Sequence, residues 1–103
     1  MRTICRGKRD LVARLSYMIV YSPDFPGEDE TSLDAEFAFQ EQGLSLLMEK
    51  DGRPATIQAV ITNREELKRS LLLFAEGDLI PACHLLQNCK DRLEQLRVKG
   101  CVA

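Results

Sequence analysis

Apolar residues recur at three- and four-residue intervals through most of the chain, the spacing of helices with one buried face. The most regular run is Leu79, Ala82, Cys83, Leu86, Cys89, Leu93 and Leu96. It predicts a helix from Leu79 to about residue 98, with Gly100 as its stop. Pro81 falls in the first turn, where backbone N–H groups have no intrahelical partner. Upstream, Ile57, Val60, Leu67, Leu71 and Phe74 share a face and predict a helix from Pro54 through Ala75, with Ile61 at the edge of the face. Arg64 interrupts that face, and its place is the rim, stem covered and head in water. Between the two helices Gly77 supplies a left-handed stop and Asp78 a cap. The tetrad Thr62-Asn63-Arg64-Glu65 has a capping-box pattern, so a break with a shorter helix starting at Asn63 stays open.

The N-terminal half reads the same way. A helix from Asp10 to Tyr21 buries Leu11, Leu15, Met18 and Ile19, while Tyr17, Val20 and Tyr21 lie off that face. Ser22-Pro23 ends it, because a residue before proline is pushed out of the helical region. Residues 23–30 form a loop of prolines, glycine and acids, with Phe25 expected to pin it to the body. The next helix starts at Thr31 or Ser32 and ends near Asp51-Gly52. It carries two stripes: Leu33, Phe37, Leu44 and Met48, and nearly opposite them Ala35, Phe39 and Leu46. Gly43 beside the second stripe costs the helix about 1 kcal/mol relative to alanine.

These elements predict an all-α fold, a four-helix up-down bundle in a single domain over residues 1–103, with a basic arm at 1–9 and an acidic loop at 22–30. The competing architecture is α+β, with a three-strand meander at about 37–62, turning at Lys50-Asp51-Gly52-Arg53, and a C-terminal helical hairpin. Alternation is poor in 44–48, which favours the helices.

Charge adds a second layer. The net value is −2, but residues 1–14 hold Arg2, Arg6, Lys8, Arg9 and Arg14 against one acid. Residues 22–49 hold eight acids and no base. An acidic chain whose basic cluster is one short arm is a poor nucleic-acid binder, since phosphate neutralisation supplies most of that affinity. The run 11–21 is short and contains Arg14, so it reads neither as a signal peptide nor as a membrane span. Cys5, Cys83, Cys89 and Cys101 form no CxxC pair, and two of them fall on a helix face. That usage fits reduced, cytoplasmic, core-filling thiols.

Candidate chemistry is sparse. His84, the single histidine, follows Cys83, but adjacent helical residues point about 100° apart, so the two cannot act as a nucleophile–base pair. The spacing of Cys83, His84 and Cys89 matches no zinc pattern. The acids from Asp24 to Glu36 lack the ligand alternation of a calcium loop. No phosphate loop, nucleophile elbow or carboxylate–histidine motif is present, so no catalytic, cofactor or metal residue is assigned. The turn at Gly77-Asp78, followed by Ala82, Leu86 and Cys89, resembles that of a tetratricopeptide-type helical pair over about 20 residues. Cys89 stands where that family favours alanine, and the pattern has no second copy, whereas stable arrays need several. No function follows from it.

The reading is a small cytoplasmic helical protein, non-catalytic, serving as an interaction or regulatory module. The alternative is a small enzyme or metal-binding protein with a carboxylate site between helices, which a buried convergent polar cluster would reveal. Candidate interaction residues fall in two groups. Ala35, Phe39, Gly43, Leu46 and Leu73 are surplus apolar surface suited to a homodimer about the second helix. Asp24, Glu28, Asp29 and Glu30 suit a protein partner with a basic surface.

Overall fold

A computed structural model describes residues 7–22 and 32–96. Four helices make up nearly all of them: α1 (Lys8–Tyr21), α2 (Leu33–Lys50), α3 (Pro54–Glu76) and α4 (Leu79–Gln95). The fold is all-α, and the described residues hold no strand. The stretch proposed as a meander is helical because its apolar residues keep a period near 3.6 through Phe37, Leu44 and Leu47, with Phe39 and Gly43 buried beside them. No helix among the described residues is long and apolar enough to cross a membrane.

The ends of the helices follow local chemistry. Ser32 caps α2, its hydroxyl accepting from the Ala35 N–H at 3.1 Å. Gly77 closes α3 in the left-handed region, with φ of 85°, where a side chain would be strained. Asp78 stands at the start of α4, but its side chain makes no capping bond there. Two boundaries move. Helix α1 starts at Lys8, so Asp10 lies inside its first turn, where a negative charge suits the helix dipole. Helix α4 ends at Gln95 and Leu96 is extended, short of the expected stop. The basic arm through Arg6, Phe25, Cys5, Cys101 and Gly100 lie outside the described residues.

The helices close a ring: α1 packs on α2, α2 on α3, α3 on α4 and α4 back on α1, while the diagonal pairs stay apart. Cross-helix contacts give the directions. Arg14 meets Glu36 and Leu11 meets Gln40. Phe37 meets Phe74 edge-on at 6.5 Å, and Arg64 pairs with Glu41. Cys83 meets Ile19, and Lys8 reaches Leu96. Within each pair of helices the numbers run in opposite senses, so neighbours are antiparallel. The core inside the ring is built from Leu11, Leu15, Met18, Leu44, Leu47, Val60, Leu86 and Leu93, all essentially without solvent exposure, and from the phenylalanines Phe37, Phe39 and Phe74.

Helix α3 is continuous through Thr62, and the reason lies on its buried side. Thr56, Asn63 and Ser70 recur every seven residues and are fully buried. Ser70 Oγ donates to the Ala82 carbonyl at 2.9 Å, and Asn63 Nδ2 donates to the Cys89 carbonyl at 3.3 Å. The two acceptors are again seven residues apart, so donors on α3 climb α4 like rungs. Asn63 is committed to this ladder instead of capping a new helix, which removes the break that the tetrad 62–65 suggested. The same spacing would set Thr56 against Leu96, where α4 has already ended. Thr56 Oγ1 has no hydrogen-bond partner, and the Leu96 carbonyl accepts from Lys8 Nζ at 2.7 Å.

The second stripe of α2 is interior. Phe39 is 4 % exposed and belongs to the core cluster, Gly43 is buried, and Ala35 and Leu46 are half-buried, all within one chain. Phe39 and Gly43 are thus spent on the core of one chain, and only Ala35 and Leu46 of this stripe keep partial exposure. The substitution Phe39→Asp should abolish folding rather than release a folded monomer, since it buries a carboxylate with no designed partner. Far-UV circular dichroism checks this: a helical, cooperatively melting variant would show that the stripe is surface.

Candidate functional site

Two places on the bundle merit consideration. The first is a convergent polar cluster in the α3–α4 seam, the feature that would favour an enzyme. Arg92 Nη1 donates to Asn63 Oδ1 at 2.6 Å and to Glu66 Oε1 at 2.7 Å. The Cys89 thiol lies 3.7 Å from the same Glu66 oxygen and 3.9 Å from the Asn63 carbonyl. Burial, reinforced by the Glu66 charge and only partly offset by Arg92, pushes the Cys89 thiol up to about 12. At neutral pH it therefore stays protonated and is no nucleophile. Arg92 and Glu66 neutralise one another, and the Asn63 amide is bonded at both ends. The cluster is an internally satisfied network that holds two helices in register.

Beside it opens a shallow cleft of about 290 Å³ lined by Ala55, Gln58, Ala59, Thr62, Arg92, Gln95 and Leu96. Its lining mixes Ala55, Ala59 and Leu96 with the polar Gln58, Thr62, Arg92 and Gln95. Gln58 Nε2 is already bonded to Thr62 Oγ1 at 3.3 Å, and no nucleophile–base pair converges on the cleft. No group of three or more histidine, cysteine or acidic residues suited to a metal ion occurs among the described residues.

The second place is the end of the bundle formed by the C-termini of α1 and α3 and the N-termini of α2 and α4. Here large apolar side chains stand in water: Val20 is 70 % exposed and Ile80 73 %, with Tyr21, Leu79 and Leu72 also exposed. The contact of Cys83 with Ile19 sets the last turn of α1 against the first turns of α4, so Val20 and Ile80 lie at the same end of the bundle. Glu76 and Asp78 are exposed in the neighbouring turn, and Asp34 at the start of α2. His84 is exposed one turn beyond Ile80. The Tyr21 ring packs at a tilt of 48° against Tyr17, centroids 4.9 Å apart, and Arg14 lies over the Tyr17 ring at 4.5 Å.

The expected interaction residues fare unevenly. Phe39 and Gly43 are buried, and Ala35, Leu46 and Leu73 are half-buried, so these five do not make a free surface. Asp24, Glu28, Asp29 and Glu30 lie outside the described residues. Leu79, expected on the core face, is 42 % exposed, because α4 begins there and α1 ends beside it. Of the exposed cluster, the helical pattern marks Val20 and Tyr21, which lie off the core face of α1, but not Leu72, Leu79 or Ile80. A further signal was present in the sequence: residues 70–89 contain no lysine or arginine, and neither do 15–49. Antiparallel packing brings parts of both tracts to the same end. Comparison with protein-family models, with curated proteins and with solved structures finds no match.

The raised thiol has a stability consequence. The folded state holds the Cys89 proton more tightly than the unfolded chain does, so this contribution is complete below the ordinary thiol value near 9 and is lost as pH rises from there toward about 12. Urea unfolding at about pH 8 and about pH 10 should show the wild-type chain losing more stability than Cys89→Ala. Equal losses would mean that the thiol is not held protonated.

Proposed function

We propose that this protein is a non-catalytic interaction module that docks a partner on the apolar end of its bundle. The observation that carries the reading is the exposure of Val20, Leu79 and Ile80 at one end of the bundle, in a domain whose other large apolar side chains are mostly enclosed. Burying an aliphatic side chain of this size is worth roughly 1.5–3 kcal/mol, so a few of them suffice to anchor a partner. The α3–α4 cluster supports the non-catalytic part, since its groups are spent on one another. Both described cysteines are free thiols, one buried and one half-buried. That usage suits a reducing, cytoplasmic compartment.

A photo-crosslinking side chain at position 80 tests this. In extract from the native cell it should give one dominant adduct, absent when the probe is moved to the exposed Gln87 and lost when Val20→Asp is added. An adduct of twice the chain mass would make the partner a second copy. No adduct above the Gln87 background would overturn the reading.

A further inference from the structure

We propose that the partner of this end is a cationic amphipathic segment, which lays its apolar face on Val20, Leu79 and Ile80 and sets its lysines and arginines against Glu76 and Asp78. This rests on the docking reading above and specifies its occupant.

Charge complementarity identifies the occupant. The acidic groups at this end are Glu76 and Asp78 in the α3–α4 turn and Asp34 at the start of α2, with His84 one turn beyond Ile80 and Ser22 and Ser32 as neutral neighbours. Among the described residues, the lysines and arginines nearest to it in the chain are Arg14, Arg69 and Lys90. Arg14 is engaged with Glu36 through paired guanidinium–carboxylate hydrogen bonds and also covers Tyr17. Arg69 stands seven residues before Glu76, about 10 Å back along the helix. Lys90 is paired with Glu94 at 3.3 Å, on the part of α4 remote from the turn. Among the described residues, this end therefore presents exposed apolar side chains beside carboxylates that no lysine or arginine pairs with.

That combination selects among occupants. Nucleic acid and anionic lipid are repelled, since both are polyanions that bind through lysine and arginine. A second copy docking end to end brings like charges together, which costs affinity. A basic amphipathic segment satisfies both halves of the surface at once. Its apolar residues at helical spacing cover Val20, Leu79 and Ile80, as in other recognition of amphipathic helices, and its cations meet the carboxylates. Rim pairs steer association and set specificity more than they add affinity, so binding must respond to salt and the apolar contacts must supply its strength.

The test uses the full chain and two labelled peptides of about 18 residues, one Leu/Lys and one Leu/Glu, each amphipathic at helical period. Fluorescence anisotropy should show the Leu/Lys peptide binding roughly tenfold or more tighter than the Leu/Glu peptide at low salt, and weakening severalfold as salt rises and the Debye length shrinks to about 8 Å. The double substitution Val20→Ser with Ile80→Ser should weaken it at least about fivefold, and the residues are exposed enough that folding is unaffected. Glu76→Lys with Asp78→Lys should weaken it as well. Glu76→Lys places a cation at a helix C-terminus, where the dipole favours it, and Asp78 makes no side-chain cap to lose. Equal binding of the two peptides, or wild-type binding by either double variant, overturns the proposal. If position 80 still crosslinks a cellular protein in that event, the docking reading stands and only the assignment of a cationic partner falls.

Discussion

The ladder between α3 and α4 fixes the register on which the rest of the bundle depends. Apolar stripes tolerate sliding, because one leucine fills a gap nearly as well as the next. Hydrogen bonds from Ser70 to Ala82 and from Asn63 to Cys89 do not tolerate it. A slip by one turn would strand a buried hydroxyl and a buried amide, each costing about 1–3 kcal/mol unbonded. With α3 and α4 locked, Arg92 reaches Glu66, the Gly77 turn closes, and the start of α4 is set where α1 must end. The placing of Ile80 at the same end as Val20 is thus a remote consequence of two side-chain donors seven residues apart.

The other seams use charge for the same purpose. Arg14 crosses from α1 to Glu36 on α2, a carboxylate only 3 % exposed, and Arg64 crosses from α3 to Glu41 and Ser45 on α2. The Arg14–Glu36 pair adds little net stability, since desolvation offsets attraction, but breaking it leaves an uncompensated carboxylate inside, whereas Glu41 is exposed and its pair with Arg64 lies at the surface. Their effect here is selective: each one penalises other alignments of its helix pair. Gln40 shows the limit of the device. Its Nε2 donates to the Leu11 carbonyl at 3.1 Å, while its Oε1 is buried without a partner.

Helix number, order and approximate ends were legible because amphipathic period and capping residues act locally. Ser32, Gly77 and the stripe of α4 carry that information in a few neighbouring residues. The burial of Phe39 and Gly43 was not legible, because a one-sided pattern identifies the face toward the core and says nothing of whether the opposite face is also covered. The ladder was hidden for a related reason. Thr56, Asn63 and Ser70 look like polar interruptions of an apolar face until their seven-residue spacing is set against the acceptors on α4.

The exposed end was half legible. The absence of lysine and arginine from 15–49 and from 70–89 is a property of the sequence, yet it gains meaning only through packing. Two cation-free tracts far apart in the chain are unremarkable if they face different directions. Antiparallel pairing of α1 with α4 and of α3 with α4 turns parts of both to one end. At the other end cations and acids are mixed, Arg53 pairing with Asp51 and Arg92 with Glu66. A near-neutral net charge thus conceals one end whose described charges are acidic, and the field that a partner meets is set by the end it approaches.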